Sequence, residues 1–144
     1  MGKTKRGKGT KIMAVTDAGG VILSLTVQSA SPHEVKLVEK VIEERFVDSL
    51  PQRLIGDRAY DSDPLDKQLG KKGVEMIAPH RKNRKRKKTQ DGRKLRRYKR
   101  RWKVERFFAH LFNFRRTVTR YERKAENFLA FLLLASMKIL LRHL

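Results

Sequence analysis

Asp57, Asp61 and Asp63 crowd into one stretch, RLIGDRAYDSD at 53–63, of a chain with few carboxylates to spare. Asp57 follows a short apolar run, and the C-terminal end of a strand is where open α/β sheets place their ligands. An aspartate there also caps the turn that follows, so both roles stand open for Asp57. Asp61 and Asp63 read more simply as an N-cap cluster ahead of a helix that begins near Pro64. Further along, Tyr98, Arg101 and Glu105 stand at i, i+3 and i+7, which sets all three on one helical face. Phe108 and Phe112 extend that stripe and place Glu105 on a buried or half-buried face, where a carboxylate is costly unless it is paired or binds a metal. An Arg101–Glu105 ion pair is the plain alternative. Two or three carboxylates gathered in space can hold a pair of magnesium ions for phosphoryl transfer. Such a centre suits a basic, DNA-binding chain.

The basic character is pronounced. Lys and Arg outnumber Asp and Glu by 36 to 15 in 144 residues, a formal net charge of +21, which makes nucleic acid the expected partner and a membrane surface the weaker one. With no cysteine, disulfides and thiolate metal sites are excluded. The basic start MGKTKRGKGTK lacks the apolar core of a secretory signal, because IMAV breaks at Thr16 and Asp17. The run FLAFLLLASMKILL at 128–141 is too short for a membrane span and is interrupted by Ser136 and Lys138, so it reads as a buried helix. Gly2, Gly7 and Lys8 have the spacing of a nucleotide-binding loop, but Gly9 stands where Ser or Thr would hold the metal and no strand precedes it. Lys3, Lys5, Arg6 and Lys8 are either a basic arm for phosphates or a disordered start. His33, His80, His110 and His143 show no metal-ligand spacing. Trp102, among Arg and Lys, is the aromatic residue best placed to stack on a base.

The elements that would position these residues follow from pattern. TKIMAVTDAGGVILSLTVQSA gives two β-rich runs around Asp17-Ala18-Gly19-Gly20, a hairpin. In SPHEVKLVEKVIEERF, Ser31, Pro32 and Glu34 suit N-cap, first helical position and capping-box acceptor. Val35, Val38, Val41, Ile42 and Phe46 then give a helix of about four turns that packs on the hairpin. RLIGDRAY predicts a strand running out at Asp57, DPLDKQLGKKG a short helix closed by Gly70 or Gly73, and VEMIAPH a strand ended by Pro79. From Arg81 to Lys103, 15 of 23 residues are Lys or Arg; its first half is expected to be mobile and solvated. Helical periodicity returns with Tyr98, Trp102, Phe108, Leu111 and Phe112 as candidate buried positions, and AENFLAFLLLASMKILLRHL is the last helix. The result is a single mixed α/β domain over 1–144 with a basic linker at 81–97.

GDRAYDSD, the basic linker and YKRRWKVERFFAHLFNFRR together resemble the DDE transposases of bacterial insertion sequences, in the branch marked by a Tyr-Arg-Glu-Lys signature. GKTKRGKGTKIMAVTDAGG and SASPHE are similar to the stretches preceding the second acid of that family. The resemblance implies a ribonuclease H-like fold, a mixed sheet flanked by helices, in which three acids gather two divalent ions, Mg²⁺ or Mn²⁺, to cleave and join DNA strands. Asp57 matches the second acid, at the end of the fourth strand, and Glu105 the third; both would be catalytic metal ligands. Tyr98 and Arg101 match the signature's Tyr and Arg, associated with DNA phosphates. Lys99, Arg100, Trp102 and Lys103 beside them, with Lys5 and Arg6, are further DNA-contact candidates. Two departures carry consequences. Phe112 stands where the signature has Lys, so Arg115 or Arg116 serves instead or the role is absent. The first acid lies in relatives upstream of the segment resembling GKTKRGKGT, and Asp17 is accounted for by the hairpin. The chain is therefore expected to be the C-terminal part of a bacterial, cytoplasmic transposase, without its DNA-recognition region and first strand. It would be a remnant or the downstream frame of a frameshifted enzyme, with DNA ends, target DNA and the upstream frame's product as partners and oligomers allowed. Alone it should show little or no strand transfer. The competing class is a non-catalytic DNA- or RNA-binding protein whose carboxylates are structural.

Overall fold

Alternation of apolar and polar residues along 10–16 and 22–29, joined by a turn that tolerates positive φ, produces the hairpin that organises the first half of the chain. The computed structural model describes residues 2–4, 7–85 and 92–142. Strand β2 (Gly7–Thr16) pairs antiparallel with β3 (Ile22–Ser29), Thr10 opposite Ser29 and Ala14 opposite Leu25, with an irregularity at Val15/Thr16. The turn is held by Asp17, whose Oδ1 accepts from the amides of Gly19, Gly20 and Val21, each at 2.8 Å, while Gly20 takes φ 96°. Within the basic start, β1 (Gly2–Thr4) pairs with Gly7–Gly9 of β2. Lys5 and Arg6 lie outside the described residues.

The helix expected after Ser31 is shorter than its periodicity suggests. A 3₁₀ turn at Glu34–Leu37 leads into α1 (Val38–Glu43), and the N-cap is His33, whose Nδ1 accepts from the Val35 amide at 3.4 Å, rather than Ser31. Val38, Val41 and Ile42 are buried as expected, but Phe46 is 53% exposed. The chain leaves the helix there because the Phe46 amide donates to Leu23 O and Arg45 bridges Ser24 on β3. A buried Ser24 hydroxyl donating to Val41 O at 2.6 Å locks α1 onto the hairpin.

β4 (Arg53–Ile55) and β5 (Glu75–Ile77) pair in parallel across the crossover helix α2 (Asp63–Lys71), as parallel neighbours require. Gly73, at φ 74°, turns the chain from α2 into β5. After β5 come α3 (Gly92–Leu95), a 3₁₀ stretch at Arg96–Arg101, α4 (Trp102–Leu111), α5 (Arg115–Val118) and α6 (Ala125–Leu141). The basic linker is thus structured in part, and 86–91 lies outside the described residues.

Two apolar clusters divide the labour. Ile22 and Leu25 of β3, Phe107 and Leu111 of α4, and Phe128, Leu132, Ala135 and Ile139 of α6 form one; α1, α2 and β5 supply the other through Val38, Ile42, Leu65, Leu69, Val74 and Met76. Met13, Leu37 and Val41 form a smaller group around the inner end of β2. Among the described residues no helix is long and apolar enough to cross a membrane. The mixed α/β class holds. The single mixed sheet does not form among the described residues: β1–β3 make an antiparallel sheet and β4–β5 a separate parallel pair.

Candidate functional site

Asp57 sits one residue past the end of the β4–β5 ladder, which the Gly56 amide extends by donating to Ile77 O at 3.0 Å. No side chain larger than hydrogen fits at Gly56, where a Cβ would lie 2.5 Å from Met76 Cε and 2.7 Å from the Tyr60 ring. Asp57 is then the N-cap of the 3₁₀ turn Arg58–Tyr60, its Oδ1 accepting from the Ala59 amide at 2.8 Å. Its second oxygen has no hydrogen-bond partner among the described residues. Capping and a free carboxylate oxygen therefore coexist on one residue.

A cavity of about 300 Å³ opens beside it, lined by the inner residues of β2, by α1, by Leu54–Asp57 and by Arg101, Val104, Glu105 and Phe108. Asp57 and Glu105, far apart in sequence, thus meet on one cavity. Glu105 is not buried as its stripe suggests; its side chain is 56% exposed. α4 turns Phe107 and Leu111 into the core instead, leaving Trp102 and Phe112 exposed and Tyr98 and Phe108 half-buried. The i, i+3, i+7 relation nevertheless produces contacts: Arg101 donates to the Tyr98 hydroxyl at 2.9 Å, lies 5.2 Å from its ring centroid, and pairs with Glu105 Oε1 at 2.7 Å.

A second cavity of about 380 Å³ shares Arg101 and Val104 with the first and is lined by Arg53, Arg97, Arg100 and Lys103. Lys99 and Trp102 line neither cavity; Trp102 is 46% exposed, with Lys103 Nζ at 4.3 Å and Arg106 Cζ at 5.0 Å from its ring centroid. Arg115 and Arg116 also lie elsewhere. Arg116 pairs with Glu122 at 2.6 Å and packs on Phe131 of α6, while Phe112 stacks on Phe108.

Two features escaped the pattern. Glu34 lines the same cavity, held by Lys11 at 3.5 Å, with Lys11 Nζ also donating to Pro32 O at 3.0 Å. Nothing in the spacing of Lys11 and Glu34 announces this, because it is a β2-to-turn contact. Tyr60 feels it: burial first, and then the Glu34 and Asp57 carboxylates, push its hydroxyl well above the usual tyrosine range. The phenol stays neutral. Asp61 and Asp63 also differ from expectation. The N-cap of α2 is Ser62, which makes no side-chain cap bond, whereas Asp61 accepts from His80 Nδ1 at 2.9 Å, the Arg81 amide at 2.8 Å and Arg84 at 2.7 Å. Asp63 pairs with Arg84 at 2.6 Å. Both acids fasten the start of the basic segment. Burial opposes the Asp61 charge, but Arg81, His80 and Arg84 outweigh it and hold the carboxyl below its ordinary range.

Asp57 and Glu105 offer hard oxygen donors of the kind Mg²⁺ or Mn²⁺ takes, one or two carboxylates with water and phosphate completing the shell. Among the described residues no three His, Asp or Glu side chains cluster closely enough to enclose a metal. Two carboxylates on one cavity would leave the rest of an ion's shell to water and phosphate.

A family model, the transposase DDE domain, matches residues 1–139. A Burkholderia cepacia protein named as transposase for insertion sequence element IS402 is 34% identical over 132 residues, covering 86% of this chain and 59% of that protein. The chain therefore spans about three-fifths of that relative's length. No solved structure matches.

Proposed function

The chain belongs to the transposase DDE domain family, and on that premise we propose that it supplies the second and third acids of a DNA strand-transfer centre. The observation that carries this is the meeting of Asp57 and Glu105 on one cavity beneath a cationic rim. A divalent ion, Mg²⁺ or Mn²⁺, would be held by these two carboxylates, and in phosphoryl transfer such ions activate the attacking oxygen and stabilise the leaving one. The protein's own part is positioning and charge. Asp57 is held by its cap on the Ala59 amide, which uses one oxygen and leaves the other for a ligand. Arg101, oriented by Tyr98, balances Glu105 while no DNA is present and can turn its fork to a phosphate. Arg97, Arg100 and Lys103 provide further phosphate contacts, which position a strand without specifying sequence. Trp102, flanked by cations, offers a face for an unpaired base. Tyr60, kept protonated, can donate a hydrogen bond but does not serve as a base.

The mixed α/β architecture is compatible with a ribonuclease H-like arrangement. DNA ends and target are the proposed partners, with the upstream product and oligomer formation as companions, in a bacterial cytoplasm. The competing function, DNA or RNA binding with structural carboxylates, is favoured by the Asp57 cap and the Arg101–Glu105 pair. Mn²⁺ decides between them. Titrated into the ¹⁵N-labelled protein, it should broaden amides flanking Asp57 and Glu105, and Asp57→Asn or Glu105→Gln should weaken the effect at least tenfold. Broadening elsewhere, or unchanged in both variants, sinks the metal reading. The purified chain alone should show little or no nicking in Mg²⁺; nicking that Asp57→Ala abolishes would mean that two acids suffice.

A further inference from the structure

α6 is apolar almost all round, a pattern that belongs to a helix covered on every side, yet one of its faces is open. Phe128, Leu132, Ala135, Ser136 and Ile139 are buried against the rest of the fold. On the other side Leu134, Met137 and Leu141 are 61%, 57% and 70% exposed, and Asn127 and Ala130 are exposed with them. These five positions follow one another at alternating steps of three and four residues, the repeat with which one helix seats another. An ordered apolar stripe of this kind marks an interaction surface, as scattered exposed leucines do not. Its two flanks differ. Helical geometry sets Phe131, Lys138 and Arg142 along one, with the Arg116 guanidinium 4.8 Å from the Phe131 ring centroid, and half-buried Leu133 and Leu140 along the other.

We propose that this stripe receives an amphipathic helix of a separate polypeptide, aliphatic at the matching steps of three and four residues and glutamate-rich along one flank. Burial of the aliphatic anchors would supply affinity, and the flanking charges would select the partner. The glutamates follow from Lys138, Arg142 and Arg116, which make one flank cationic. Charge also disfavours a second copy as the occupant: at +21 two chains repel each other, and an antiparallel pair would lay the cationic flank against itself. A lipid surface would draw on cations all round the stripe, and here they gather on one side. DNA has no use for an apolar centre. The stripe shares no residue with either cavity beside Asp57 and Glu105, so the inference stands apart from strand-transfer chemistry.

The probe is a three-heptad synthetic peptide with leucine at the stripe positions, glutamate along one flank and alanine and glutamine elsewhere, fluorescently labelled and titrated with the full chain at physiological ionic strength. It should bind one to one. A peptide of the same composition, scrambled so that its leucines no longer share a face, should bind at least tenfold more weakly. Leu134→Glu should weaken binding at least tenfold and leave the urea midpoint unmoved, because that side chain is exposed. A lysine-flanked peptide should prefer the Lys138→Glu, Arg142→Glu double variant to the wild-type chain. Equal binding of the scrambled peptide, which charge alone would give, or indifference to Leu134→Glu overturns the proposal. So does a concentration-dependent dimer in sedimentation velocity, or retention on anionic vesicles, that Leu134→Glu abolishes, since either result gives the stripe to another occupant. The Mn²⁺ titration is read without peptide, so either result can fail while the other stands.

Discussion

Asp57 does two jobs that substitution can separate. Asn keeps a cap acceptor for the Ala59 amide, so Asp57→Asn should leave stability within a few tenths of a kcal/mol while removing the charge. Asp57→Ala loses both, and the cap alone is worth about 1 kcal/mol; urea unfolding of the two variants distinguishes them. Asp61 offers the sharper test, being 4% exposed and bonded to three partners. Asp61→Asn leaves Arg84 with Asp63 as its remaining counter-charge and should lower stability, read as an earlier midpoint in urea. The pH dependence has a definite sign. The folded-state pKa is lowered, so the contribution is present above the unfolded value, near 3.9, and is lost as pH falls through the folded one. The wild-type advantage over Asp61→Asn should therefore hold at pH 7 and vanish in strong acid; an advantage independent of pH would refute the ionic account. Asp66 runs the other way. Burial first, then Asp63 and Asp61, raise its pKa, and Asp66→Asn should not destabilise at neutral pH.

Elements whose form is decided locally were legible. The Asp17 turn follows from residues that accept φ above zero, α2 and β5 from patterns bounded by Gly and Pro, and α6 from its long apolar run. Asp17→Ala removes the acceptor of three amides and should cost about 1–2 kcal/mol by analogy with helix caps, read as a lowered midpoint in thermal unfolding. Gly73→Ala tests the other turn: open space surrounds it, but at φ 74° the left-handed backbone should cost about 1–2 kcal/mol. Elements decided by neighbours were not legible. On α4 either the stripe through Glu105 and Phe108 or the one through Phe107 and Leu111 is apolar enough to bury. Tertiary contact with α6 and β3 selects the second, which is why Glu105 reaches the cavity instead of the core. The ends of the basic segment show the same limit. Arg84 on Asp61 and Asp63, and Lys94 on Glu75, anchor it on either side of 86–91, pairings that no local spacing encodes. Asp57 and Glu105 were singled out by a strand end and a helix face and given their roles by the resemblance; Glu34, on the same cavity, was not.

At the scale of the whole molecule the charge dominates. Binding to duplex DNA should be nearly indifferent to sequence and weaken steeply with salt, the log–log slope being about −0.9 per phosphate neutralised. Fluorescence anisotropy with two unrelated duplexes measures both, and an affinity unmoved by salt would contradict the proposed interface. Replacing Arg97, Arg100 and Lys103 together by Ala should shallow that slope by two to three units if each neutralises one phosphate. The unpaired edges of β2 and β4 have a further consequence, for colloidal behaviour. Open edges invite copies of a chain to pair with one another and aggregate, and like charge is a common guard against it. Here that guard is a charge of +21 acting over roughly 8 Å at physiological ionic strength. Raising salt shortens its reach. Light scattering from the protein should therefore climb with salt well before unfolding.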